Sequence, residues 1–163
     1  MIFVAVGTQG SFDRMIRPID EWAVRNDRDD VFAQIGRDAW RPTRIQWVEH
    51  LDAKEFRSRV ERADVVISHA GMGTILTALE LRKPVLIMPR RAALLEQRND
   101  HQLATAKKLE EMGLATVAHD ERELAERLQS LNQLKVMHQE RGTEQLDRLL
   151  DTLRRFLSAG PQG

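Results

Sequence analysis

Apolar positions along the chain fall into two alternating kinds of run. Short, unbroken, β-rich runs occupy Ile2–Val6, Val31–Ile35, Ile45–Val48, Asp64–Ser68, Val85–Met88 and Leu114–Val117. Between most of them apolar residues recur every three or four positions, the spacing of a helix with one buried face. The spacing predicts helices over Ser11–Val24, Ala53–Ala63, Thr74–Leu81, about Glu96–Met112, from Asp120 onward, and about Thr143–Leu157. Ser11 is placed to cap the first, and Pro18 to kink it. Asp120 with Glu123 three residues on is a capping pattern. In the last helix Leu146, Leu149, Leu150, Leu153 and Phe156 form one apolar stripe, suited to the core or to a partner.

Strands alternating with helices predict one α/β domain: a Rossmann-like, doubly wound parallel sheet of about six strands, with a helical extension after it. The expected division is 1–128 for the domain, 129–158 for the C-terminal helix and 159–163 for a flexible tail. The polar stretch Gln129–Gly142 is a candidate hinge. Ligands of such sheets bind beyond the carboxyl ends of the strands, near the switch point. The informative residues are therefore Gly7-Thr8-Gln9-Gly10, Gly36-Arg37, Glu49-His50, His69 to Thr74 and Pro89-Arg90-Arg91.

Composition narrows the function classes. The 25 basic residues cancel the 25 acidic ones, so no global field points to nucleic acid. There is no cysteine, hence no disulfide framework or thiolate metal site, which fits a reducing compartment. MIFVAVGTQG lacks the basic segment and apolar length of a signal peptide. No apolar run approaches the roughly 20 residues of a membrane helix.

Chemistry collects in the glycine loops. Gly71-Met72-Gly73-Thr74 leads from a strand into a helix, where free N–H groups and the helix dipole favour phosphate. The Thr74 hydroxyl adds a donor. The alternative is an ordinary turn that needs glycine for positive φ. The loop is neither a dinucleotide fingerprint, since Leu76 stands at the third glycine, nor a P-loop. Gly7-Thr8-Gln9-Gly10 forms a second glycine turn, and the two turns together can clasp one diphosphate. His69 is either a structural hydrogen-bonder or the one local candidate for catalysis. Arg90, Arg91 and Arg98 suit phosphate or carboxylate, and Asn99, Asp100, His101 and Gln102 suit sugar hydroxyls. The alternative for that segment is a solvated loop with Asn99 or Asp100 near a helix cap. Asp27-Arg28-Asp29-Asp30 contains Asp-x-Asp but precedes strand two, at the wrong edge for a metal. No other cluster has metal-ligand spacing, so a metal-independent site is expected.

Four of these pieces, in order, resemble the glycosyltransferase family 28 C-terminal domain, the donor-binding half of GT-B enzymes. They are Gly7–Gly10, Ala63–Thr74, Lys83–Arg91 and Arg98–Gln102. The family includes the catalytic half of the two-subunit N-acetylglucosaminyltransferase of dolichol-linked oligosaccharide synthesis. The nearest resemblance is to bacterial exopolysaccharide subunits of the PssE kind.

The resemblance implies a UDP-sugar donor as substrate and no cofactor. Gly71 to Thr74 would hold the diphosphate, helped by Thr8 and Gln9. Trp47-Val48-Glu49 would present backbone groups to the uracil. Asp100, His101 and Gln102 would face the sugar. Pro89-Arg90-Arg91 and Arg98–Gln102 favour the exopolysaccharide branch, whose implied donor is UDP-glucuronate or a similar sugar, with Arg90, Arg91 or Arg98 pairing its carboxylate. Relatives often carry glutamate three residues after the loop threonine, where this chain has Thr77, and glycine where it has Arg82. The resemblance further implies inverting transfer to a lipid-linked saccharide. That acceptor would be presented by a separate, membrane-associated, PssD-like subunit, which would hold this chain at the cytoplasmic face of the membrane. Two other readings stay open: a non-catalytic sugar-nucleotide scaffold or sensor, and a nicotinamide-dependent reductase.

Overall fold

In the computed structural model, residues 1–134 and 143–158 are described. Most of the candidate hinge, the tail 159–163 and the side chain of Phe156 lie outside the described residues. The elements are β1 (Ile2–Ala5), α1 (Asp13–Arg25), β2 (Val31–Gln34), β3 (Gln46–Val48), α2 (Ala53–Arg62), β4 (Val65–His69), α3 (Met72–Glu80), β5 (Val85–Met88), α4 (His101–Glu111), β6 (Thr116–Val117), α5 (Glu121–Gln129) and, as α6 here, Thr143–Ser158. All pairings are parallel, in the order β3-β2-β1-β4-β5-β6. The chain winds outward from β1 to β3, then crosses back to β4 beside β1. The switch point therefore lies between β1 and β4, and the loops after these two strands flank one crevice.

The sheet is apolar on both faces because helices cover both. Ile2, Val4, Ile67 and Leu86 pack with Ile16, Ile19, Trp22, Leu124 and Leu128 of α1 and α5. Phe3, Ala5, Val66 and Ile87 pack with Ile75 and Leu79 of α3, Leu109 of α4, and Leu146, Leu150 and Leu153 of α6. The apolar stripe of α6 is thus part of this core. The exposed ion pairs Arg82–Asp147 (2.9 Å) and Glu80–Arg154 (3.2 Å) join the helix to the end of α3 and the turn after it.

Three helix starts differ from the pattern prediction. Helix α3 begins at Met72, two residues before Thr74. Ser11 does not cap α1. The helix begins at Asp13 with Phe12 at the cap position and no side-chain acceptor, and it continues through Pro18. Helix α4 begins at His101, not near Glu96. A 3-10 turn at Ala92–Leu94 ends in Leu95 at φ 57°, and Glu96 is occupied: its carboxylate takes two N–H groups of Arg14 and the Arg91 amide.

One buried carboxylate shapes the long β2–β3 connection. Asp20, 3% exposed, accepts from the Thr43 amide and hydroxyl and from the amides of Arg44 and Ile45. Burial alone would raise its pKa, but the bonds from Ile45, Thr43 and Arg44 prevail and hold it below the ordinary carboxylate value. Asp20→Ala leaves these donors unpaired at about 1–3 kcal/mol each where they are buried, so a loss of about 2–4 kcal/mol is expected in denaturant unfolding. Because the folded pKa lies below the unfolded value near 3.9, this stability is present above about pH 4. It is lost as pH falls through the folded value. The variant should therefore lose less on acidification than the parent.

Candidate functional site

The crevice holds two connected depressions separated by His69, which lines both. The larger, about 460 Å³, has an apolar wall of Leu51, Ala53 and Phe56, and a floor of Gly7, Thr8, Gln34 and Gly71 to Thr74. The smaller, about 250 Å³, is lined besides His69 by Thr8, Gln9, Gln97, His101, Gln102 and Thr105, so by amides, hydroxyls and two imidazoles. A third depression beside them, about 780 Å³, carries Gln9, Leu95, Arg98 and Asn99.

The start of α3 lies between the two lobes. Gly71 is its N-cap and offers no side-chain acceptor, so the first-turn amides of α3 keep their hydrogen-bonding capacity toward a ligand. Helices α2 and α5 differ, because Asp52 and Asp120 accept the amides of Glu55 and Glu123. An anion at α3 meets three favourable features at once: open amides, the positive helix end, and a glycine with no side chain in the way. A Cβ built on Gly73 would touch nothing within 4 Å.

The other glycines have a different task. A Cβ on Gly7 would lie 2.5 Å from His69 Cε1, and one on Gly71 would overlap the His69 Nε2. The imidazole is clamped between two backbones. Gly7, Gly10 and Gly36 all have positive φ, and a Cβ on Gly36 would lie 2.7 Å from the Gly10 carbonyl. The close approach of the loops after β1, β2 and β4 thus depends on glycine. Burial, aided by the charge of Arg90 and weakly opposed by the Ala5 backbone, pushes the His69 pKa down to about 4. The ring is neutral at pH 7. That makes it a poor base, since general bases work best with a pKa near the operating pH.

Of the residues singled out in the sequence, Gly7, Thr8, Gln9, Gly71, Met72, Gly73, Thr74, His101 and Gln102 line the lobes; Gly10 does not, and its carbonyl accepts from Arg90. Other expected contacts are placed elsewhere. The Val48 carbonyl accepts from the Ile35 amide, and that of Glu49 from Gly36 and the Gln34 side chain. These carbonyls serve the sheet edge, and the wall near them is made by His50 to Ala53 instead. Thr77 turns its hydroxyl to the Gly73 carbonyl (2.9 Å). Arg90 is buried, with its guanidinium on backbone carbonyls of the first loop. Arg91 donates to the His119 carbonyl (2.6 Å). Asp100 accepts the Ala92 amide, and Asn99 the His101 amide. Of the three arginines only Arg98, exposed in the third depression, is placed to meet a ligand.

Sequence reasoning missed Gln34, Leu51, Phe56, Gln97 and Thr105. His50 was legible as a residue following a strand. The wall from α2 was not, because Phe56 reads as an ordinary core position.

Comparison with known proteins gives the arrangement a lineage. The human UDP-N-acetylglucosamine transferase subunit ALG13 is 31% identical over 122 residues, covering 69% of this chain and 10% of that protein. The MurG structure from Acinetobacter baumannii superposes with a TM-score of 0.60 at 16% identity, covering 94% of this chain and 49% of that one. The kitacinnamycin glycosyltransferase gives 0.62 at 20%, covering 94% and 39%. At those identities the two structures establish the fold alone. The chain spans less than half of each of these proteins. The family described as the glycosyltransferase family 28 C-terminal domain matches residues 1–154, and to that family this chain belongs.

Proposed function

We propose that the chain is the donor-binding component of an inverting glycosyltransferase that uses a UDP-sugar. The observation that carries this reading is the uncapped start of α3, open at Gly73 and set between an apolar lobe and an amide-rich one. A sugar nucleotide has the same order of parts. The base and ribose fit against Leu51, Ala53 and Phe56, the diphosphate across Met72 to Thr74, and the sugar among Gln97, His101, Gln102 and Thr105. In transfer, an acceptor hydroxyl bonds to the anomeric carbon as the bond from that carbon to the diphosphate oxygen breaks. The proton goes to a base outside this chain, and the charge growing on UDP is met by oriented amides. The human relative is named as a subunit, which supports an acceptor half on another, PssD-like chain. Contact with a lipid-linked acceptor is assigned to that partner. An exopolysaccharide role and a uronate donor are the finer reading. If the donor is a uronate, Arg98 is the arginine that would meet its carboxylate.

Calorimetric titration with UDP, UDP-N-acetylglucosamine, UDP-glucose, UDP-glucuronate and NADH tests the proposal. Binding of UDP and of one UDP-sugar supports it, and the tightest sugar identifies the donor. Binding of NADH alone contradicts it. A reductase is already disfavoured by the end of β2, where Gln34, not an acid, donates to the Gly7 and Glu49 carbonyls.

A further inference from the structure

Among the described residues Arg90 is the one arginine that is buried. Its side chain is 1% exposed, and no carboxylate among the described residues forms an ion pair with it. Glu96, the nearby candidate, is held by Arg14 through bonds of 2.6 and 2.8 Å. The Arg90 Nη1 donates to Ser11 O (2.7 Å), and Nη2 donates to Val6 O (2.9 Å) and Gly10 O (3.0 Å). The Phe12 ring lies 4.6 Å from the guanidinium carbon. The Nε finds no acceptor. A buried cation without a contacting anion costs several kcal/mol that an apolar residue of similar volume avoids. Holding a loop does not by itself require the charge.

The surroundings supply a use for it. The three carbonyls belong to the loop whose Thr8 and Gln9 line the crevice. A trans peptide directs its N–H opposite to its C=O, so the Gly7 amide and those of Ser11 and Phe12 point away from Arg90. The Arg90 amide also fixes the Oε1 of Gln102, which lines the smaller lobe (3.0 Å). The charge acts on His69, the wall shared by both lobes. The protein thus keeps a cation behind the crevice with no carboxylate in contact; the charge of Glu96 reaches it, and that of Arg14, which binds Glu96, opposes this.

We propose that Arg90 is a positioning residue for the donor diphosphate. It holds the Gly7–Ser11 loop in its binding shape and acts as a counter-charge behind that loop for an anionic ligand. The inference rests on the UDP-sugar reading above. The role differs from the direct grip expected of an arginine in a phosphate loop, because the guanidinium touches only backbone.

The test is a series of affinities for uridine, UMP and UDP in the wild type and in Arg90→Lys, Arg90→Met and Arg90→Gln, with folding checked by circular dichroism. Arg90→Met should weaken UDP by about tenfold or more, one pKa unit's worth of charge interaction, and uridine by less than about threefold. Arg90→Lys keeps the charge and should retain most of the preference for UDP over uridine. Arg90→Gln keeps N–H donors without charge and carries the comparison if the methionine variant does not fold. A proton NMR titration of His69 is an independent readout. Its pKa should rise in the neutral variants and not in Arg90→Lys. Equal losses for uridine and UDP, or UDP affinity unchanged in a folded neutral variant, would overturn the inference while leaving the donor reading intact. A wild type that binds no uridine nucleotide would remove both.

Discussion

Gly73→Asp is expected to abolish UDP binding while leaving the protein at least as stable as before. Most glycine substitutions in a binding loop damage fold and site together, so the separation is informative. Gly73 sits in the first turn of α3, and its Cβ position is open. Aspartate loses less backbone entropy than glycine and complements the positive helix end, each effect worth about 0.3–1 kcal/mol. The melting temperature should therefore hold or rise by a few degrees, at roughly 2–4 °C per kcal/mol for a chain of this size. The same carboxylate occupies the place assigned to the diphosphate. Like charges brought together there cost several kcal/mol, so affinity for UDP should fall by about a hundredfold or more. Thermal melting and calorimetry on one sample read both quantities. Wild-type affinity in this variant would mean that the ligand does not sit at α3.

The second large effect runs the other way. Gly71→Ala should destabilise the fold, and His69→Ala should cancel most of that loss. The backbone at Gly71, φ −88° and ψ 127°, suits any residue, so alanine pays no conformational penalty there. Its methyl group would instead overlap the imidazole of His69, which Gly7 hems in from another side. Overpacking of this kind costs about 1–3 kcal/mol. With the ring removed the conflict disappears, and a double-mutant cycle should show a favourable coupling of about 1–2 kcal/mol. Additive effects would show that the ring swings aside freely and that the two glycine turns are not held against each other through it. The pair also explains why the glycines at 7 and 71 are needed even before any ligand binds.

The architecture was legible because its signals are local. Val85–Met88 was read to the residue, the Asp120 cap is in place, and the other strands shift by a residue or two at their ends. Edge logic also picked out Thr8, Gln9 and Met72 to Thr74, since a parallel sheet brings every post-strand loop to one side; His101 and Gln102 came from their polar chemistry and from the resemblance. Misreadings arose where a residue is engaged by a partner far away in the chain. Arg90, Arg91 and Arg98 look alike in the sequence. Loops from residues 6–11 bury the first, the His119 carbonyl takes the second, and the third stays in solvent. The start of α4 was placed too early because nothing local shows that Glu96 binds Arg14 and the Arg91 amide. Arg82, noted as a replacement for glycine, adopts φ 54°, the left-handed conformation that glycine prefers.

The most direct test of the account is amide chemical-shift mapping of the ¹⁵N-labelled chain with UDP. The account predicts the largest changes at Met72, Gly73 and Thr74, with Thr8, Gln9 and the stretch His50–Ala53 following, and little change at the amino-terminal edge of the sheet. Saturable shifts confined to another surface, with Met72 to Thr74 silent, would contradict it.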